Sequence, residues 1–168
     1  MSPVKPYQQK IIELYIQQEL KLAELYKLLS ETVPSLATEF ASMQAEELNH
    51  AQWVEYLGKG AVRGDVLFHE DKTRSYTLQA FLDHIAAAIK RAAGSSLTPQ
   101  EALSLSMNME DSLLERKVFD HFQGDSADVV RVLKRLHAET TEHLAGIRKL
   151  IRNNRDNDGN LPVSPAQK

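Results

Sequence analysis

Two six-residue segments carry the same donor atoms at the same spacing. Ala45-Glu46-Glu47-Leu48-Asn49-His50 and Ala138-Glu139-Thr140-Thr141-Glu142-His143 share Ala, Glu and His in register, 93 positions apart. A fainter echo pairs Glu19 and Glu24 with Glu110 and Glu115, 91 positions apart, with an aromatic residue, Tyr26 or Phe119, following each pair. Because the two offsets agree so closely, the halves of the chain read as copies of one helical hairpin. Carboxylates and imidazoles are ligands that Fe, Mn and Zn accept. The chain has no cysteine, which excludes disulfides, thiolate metal sites, iron–sulfur clusters and cysteine nucleophiles. Any metal must be held by His, Asp and Glu.

The helical neighbours of each acid separate solvated carboxylates from those aimed at a core. Glu19 is flanked at three, four and seven residues by Ile12, Tyr15, Ile16, Leu22, Ala23 and Tyr26. Glu47 has Phe40, Met43, Ala51 and Val54 around it, and Glu110 has Leu103, Met107, Leu113 and Leu114. Glu13, Glu24, Glu31 and Glu39 have polar neighbours and read as surface residues. A buried carboxylate without a partner costs several kcal/mol or takes up a proton, and three sharing one core repel as well. The ordinary remedy is protonation or an arginine, yet the expected core faces supply neither Lys nor Arg. A divalent cation is the simplest compensation.

Two histidines complete the set. His50 follows Glu47 by three residues, so both project from one side of a helix, and His143 lies among Leu136, Ile147 and Leu150. Glu-x-x-His alone is a common helical spacing whose ordinary outcome is a surface ion pair. On a buried face, with its Glu/His echo at the repeat offset and two lone core glutamates opposite, it matches a di-metal arrangement. In that arrangement two helices give one Glu each and two give Glu-x-x-His. His69, His84, His121 and His137 have no counterpart in the repeat and read as surface or ordinary core residues.

The elements that must position these residues are helices. Apolar residues recur at three- and four-residue steps from Tyr7 to Ser30, and again from Leu36 to Leu57, where Gly58-Lys59-Gly60 reads as a breaker. Residues 61–76 show no sustained period and read as a long surface connection. A shorter helix from Leu78 to Ala93 is expected within the crossover. Thr98-Pro99-Gln100-Glu101 forms a capping box that opens a helix running through Leu103, Met107, Leu114 and Val118 to Phe122. Gly124 stops it, and Asp125-Ser126 caps a last long helix. The polar segment 153–168 reads as a disordered tail after a single domain at 1–152. The result is an all-α chain, a hairpin, a long crossover and a second hairpin, which is the connectivity of ferritin-like four-helix bundles.

Composition agrees. With 168 residues, 20 basic against 23 acidic side chains, a net charge of −3 and 42% apolar residues, the chain suits one soluble globular domain. Nucleic acid is an unsuitable partner for such a charge. The N-terminal MSPVKPYQQK has no apolar signal core, no apolar run is long enough to span a bilayer, and a cytoplasmic location is expected.

At this point the sequence resembles the rubrerythrin-like branch of the ferritin-like superfamily. The resemblance rests on Glu19-x6-Tyr26, Phe40-x2-Met43-x-Ala45-Glu46-Glu47-x2-His50, Met109-Glu110-Asp111-Ser112-Leu113-Leu114-Glu115 with Phe119, and Ala138-Glu139-Thr140-x2-His143. It covers residues 7–152 and implies a bundle-core di-iron centre, with Mn or Zn as alternatives, that reacts with peroxide or dioxygen in a homodimer. Carried over by position, Glu19, Glu47, His50, Glu110 and His143 are the implied ligands. Two departures stand out. Rubrerythrins carry a cysteine-ligated rubredoxin-type domain as electron donor, so this cysteine-free chain needs a separate donor. A bridging glutamate is expected three residues before His143, where Thr140 stands. Three carboxylates then give −3 against +4 for two ferrous ions. Glu139, four residues before His143, is the candidate sixth ligand, reached directly or through a π-bulge. Three readings compete: a peroxide-reducing or ferrous-oxidising redox protein, a bundle with one metal or none that acts in binding or assembly, and a ferritin-type storage shell. The long charged crossover and its extra helix fit the third poorly.

Overall fold

Long runs of Leu, Ala, Glu, Lys and Gln, uninterrupted by Gly or Pro, favour helix over every alternative, and the chain folds accordingly. A computed structural model describes residues 4–70, 73–116 and 118–158, with side chains at all of these positions except 113–116, 118 and 155–158. Five α-helices make up most of it: α1 (Pro6–Thr32), α2 (Ala37–Arg63), α3 (Ser75–Gly94), α4 (Pro99–Arg116) and α5 (Ala127–Asp158). None is long and apolar enough to cross a membrane. The all-α expectation is met.

Local chemistry explains most boundaries. Pro6 opens α1, where a missing N–H costs nothing, and the Gln8 side chain accepts the Lys5 backbone N–H at 2.9 Å. Pro34 begins a single 3₁₀ turn, Pro34–Leu36, that reverses the chain into α2. The capping box at α4 forms as the sequence predicts: Thr98 N–H donates to Glu101 Oε2 at 2.9 Å, and Glu101 N–H donates to Thr98 Oγ1 at 3.2 Å. At α5 the Val129 N–H donates to Ser126 Oγ at 3.2 Å.

Three boundaries differ from the sequence reading. Gly58 and Gly60 do not break α2; they are points of close approach. A Cβ on Gly58 would lie 2.7 Å from Ile12 Cγ2, and one on Gly60 2.6 Å from Val66 Cγ2. The helix stops six residues after Gly58, at Gly64, whose φ of 86° is the left-handed cap conformation. The connection at 61–76 is not wholly a surface loop, because Val66 and Phe68 are buried. Leu67–Phe68 (β1) pairs antiparallel with Phe122–Gln123 (β2) in the register Leu67↔Gln123, Phe68↔Phe122. That pairing also ends the third long helix early: α4 stops at Arg116, and a 3₁₀ turn at Val118–His121 leads into β2. Two-residue strands are too short to show a period in the sequence. Finally, α5 continues past the expected boundary at 153 to Asp158; the rest of the expected tail, 159–168, lies outside the described residues, as do the side chains of Leu114 and Val118.

The short links fold α1 on α2 and bring α4 against α5, while α2 meets α5 across the middle. Helix α3 packs on α1 through Leu78, Phe81, Leu82, Ile85 and Ala88, and the buried Gln18 amide donates to the Leu78 carbonyl at 3.1 Å. It is a structural wall rather than a passenger in the crossover. The core forms two apolar clusters. One holds Leu22, Tyr26, Leu29, Phe40, Met43, Leu103, Met109 and Ile147. The other holds Ile12, Tyr15, Val54, Leu57, Phe122, Val132 and Leu136. Along α1, α2 and α5 the chain passes from one cluster to the other, and a polar layer lies between them.

Candidate metal centre

That layer contains Glu19, Glu47, His50, Glu110 and His143, with relative exposures of 2, 0, 2, 1 and 6%. Helix periodicity puts them there: each occupies a position where its helical neighbours are core residues. Four helices contribute, α1 with Glu19, α2 with Glu47 and His50, α4 with Glu110, and α5 with His143. Glu13, Glu24 and Glu31 are exposed, as expected.

The donor atoms converge as two overlapping triads. In Glu19, Glu47 and His50, one ligand atom from each residue lies within 4.8 Å of the others; the same holds for Glu47, Glu110 and His143. Glu47 belongs to both. Its Oε2 is 3.1 Å from His50 Nδ1, and its Oε1 is 3.1 Å from His143 Nδ1. Glu19 Oε2 lies 3.9 Å from His50 Nδ1, and Glu110 Oε1 lies 3.9 Å from His143 Nδ1. The imidazole centroids are 5.4 Å apart. Both Nδ1 atoms thus face inward, and both Nε2 atoms face outward.

Each outward nitrogen meets a carboxylate from the opposite helix. His50 Nε2 is 3.1 Å from Glu139 Oε2, and His143 Nε2 contacts Glu46 Oε2. Glu139 is therefore not among the converging donors; it stands behind His50. Such an outer carboxylate holds the Nε2 proton and leaves Nδ1 free to ligate. Glu46 is the counterpart that periodicity alone misses, since it sits one position off the core face. The 93-residue repeat carries the signal, because Glu46 and Glu139 are the same position in the two copies. Thr140 is buried, and its hydroxyl donates to the Leu136 carbonyl at 2.9 Å instead of supplying a carboxylate to the layer.

Tyr26 also belongs to the site. Its buried hydroxyl donates to Glu110 Oε1 at 2.5 Å. His121 is buried outside the layer, with Nε2 3.1 Å from Thr73 Oγ1, whereas His69, His84 and His137 are exposed.

The electrostatics are those of a site short of positive charge. Burial, reinforced by the Glu47 charge, pushes Glu19 well above the usual carboxylate range, and the same two causes raise Glu110 to about 7. For Glu47 burial acts upward too, but the His143 and His50 imidazoles facing it outweigh that and bring the group to about 2. Burial opposes charge on the imidazoles, yet Glu47 and the other facing acids overcome it. His143 rises to about 10, and His50 is raised as well. Glu19 Oε2 and Glu110 Oε2 have no hydrogen-bond partner among the described residues. Among the described side chains no Lys or Arg is buried there either. Hard donors, orphaned oxygens and missing counter-charge together fit a divalent cation. No protein-family profile, curated protein or solved structure matches this chain.

Proposed function

We propose that the chain is a di-metal carboxylate protein of rubrerythrin type, in which α1, α2, α4 and α5 form a ferritin-like four-helix bundle around two ions, iron in the first instance. The observation that carries this reading is the sharing of Glu47 by two buried donor triads drawn from four helices. One shared carboxylate between two sets of terminal donors is the geometry a pair of cations needs.

Within this reading Glu19, Glu47 and His50 would hold one ion and Glu47, Glu110 and His143 the other. Bound iron would supply the electrons for peroxide reduction, or lose them to dioxygen in ferrous oxidation. Reducing peroxide to water consumes two electrons and two protons. In this reading the electrons come from a separate protein or small reductant, since these 168 residues hold no cysteine for a thiolate-ligated iron donor. Tyr26 keeps a proton 2.5 Å from Glu110 Oε1, and the apolar clusters above and below the layer exclude bulk water.

Thr140 favours a second reading, a centre that holds one ion, because the layer lacks the carboxylate expected at that position. Anaerobic loading with Fe(II) followed by metal analysis separates the two. About two ions per chain, with peroxide consumed when a reductant is added, is the expected result. One ion per chain establishes the second reading, and none defeats both.

A further inference from the structure

The two outer carboxylates are held in unlike ways. Glu139 lies in a contact chain that reaches the surface: its Oε1 accepts from Arg135 Nε at 2.5 Å while its Oε2 meets His50. The Arg135 guanidinium in turn lies over the Trp53 ring, 6.0 Å from its centroid. Besides His143 on its Oε2, Glu46 meets among the described residues a hydroxyl, accepting from Ser42 at 3.1 Å on its Oε1. Exposure follows suit, with the Glu139 side chain at 19% and that of Glu46 at 39%. A guanidinium has a rigid planar fork, so it fixes a carboxylate's orientation in a way that a rotating hydroxyl does not.

From this asymmetry we infer that Arg135 is a positioning residue for one metal position only, the one formed by Glu19, Glu47 and His50. The inference rests on the di-metal reading above. Arg135 locks Glu139, Glu139 holds the Nε2 proton of His50, and His50 is thereby kept with Nδ1 aimed at the ion. The position at Glu47, Glu110 and His143 draws no such support from Arg135; its outer carboxylate is the loosely held Glu46. The two positions are therefore unequal, and one of them is tied to a surface arginine that stacks on the chain's single tryptophan.

Trp53 makes the idea measurable without any assay of turnover. Metal-free full-length protein is titrated with Zn(II), with heat and tryptophan emission followed together, for the wild type and for Arg135→Gln and Ser42→Ala. Arg135 is 57% exposed, so the substitution leaves the core intact, which circular dichroism checks. In the wild type, filling the His50 position moves Trp53 emission. Arg135→Gln weakens that emission-linked step about 10- to 100-fold, the usual loss when a group supporting a metal-bound histidine is removed, and leaves the other step unchanged. Glu139→Gln reproduces the same selective loss, and Ser42→Ala has no effect on the emission-linked step. Equal weakening of both steps, or no weakening by either Arg135→Gln or Glu139→Gln, overturns the inference while leaving the metal centre standing. A wild type that binds no Zn(II) and no Fe(II) overturns the di-metal reading itself.

Discussion

A carboxylate shared by two triads cannot be lost by halves. Glu47→Gln is expected to abolish binding at both positions, whereas Glu19→Gln should impair one and leave the other; equilibrium dialysis with Co(II) distinguishes these outcomes. In the metal-free protein the order of harm changes. Glu110 is raised to about 7 because burial and Glu47 oppose its charge, so its ionisation at pH 8 works against folding. Glu110→Gln keeps an acceptor for Tyr26 and removes that charge. It should stabilise the chelated protein at pH 8 by on the order of 1–3 kcal/mol, measured by urea unfolding, although it weakens metal binding. Thr140→Glu tests the opposite direction. Adding a fourth carboxylate to the layer should raise affinity for the second ion, and an unchanged stoichiometry and affinity would remove Thr140 as the limiting residue.

At the scale of elements, most of what positions the site was readable in advance. Glu19, Glu47, His50, Glu110 and His143 stand out because each interrupts an apolar stripe of period 3.6, and the structure buries all five. The roles of Glu46 and Glu139 were not readable from periodicity. They depend on which helix faces which, a pairing that only the tertiary arrangement of α2 and α5 supplies. Glycine is ambiguous for a related reason: its missing side chain serves equally to end a helix or to admit a neighbour, and the sequence does not say which. Gly58→Ala discriminates between these uses. A new Cβ 2.7 Å from Ile12 Cγ2 should cost about 1–3 kcal/mol through overpacking, seen as a lower urea midpoint, whereas a true helix breaker replaced by Ala would stabilise. The β1–β2 ladder was invisible because its strands are shorter than any pattern.

For the whole molecule, the polar layer makes stability depend on pH and, in the proposed di-metal reading, on metal as well. Glu19, Glu110, His50 and His143 all have raised values in the fold, so they favour folding below their unfolded values, near 4.5 and 6.5. That contribution is lost as pH climbs through about 7 for Glu110 and about 10 for His143. Glu47, lowered to about 2, acts oppositely but only below about pH 4.5. Chelated protein should therefore melt at progressively lower temperature between pH 5.5 and pH 9. Saturating metal should reverse the trend, because the ligands must shed protons to bind it; a melting temperature independent of pH in the chelated protein would contradict the buried charges. The turn between α3 and α4 adds a consequence of its own. Ser95 and Ser96 are exposed, and the chain before them holds Glu19, Glu47 and His50 while the chain after them holds Glu110 and His143. A single cut in this turn would leave the Glu19, Glu47 and His50 triad whole on the first fragment but divide the Glu47, Glu110 and His143 triad between the two, so a divalent cation at that second position would become the glue that holds a split protein together.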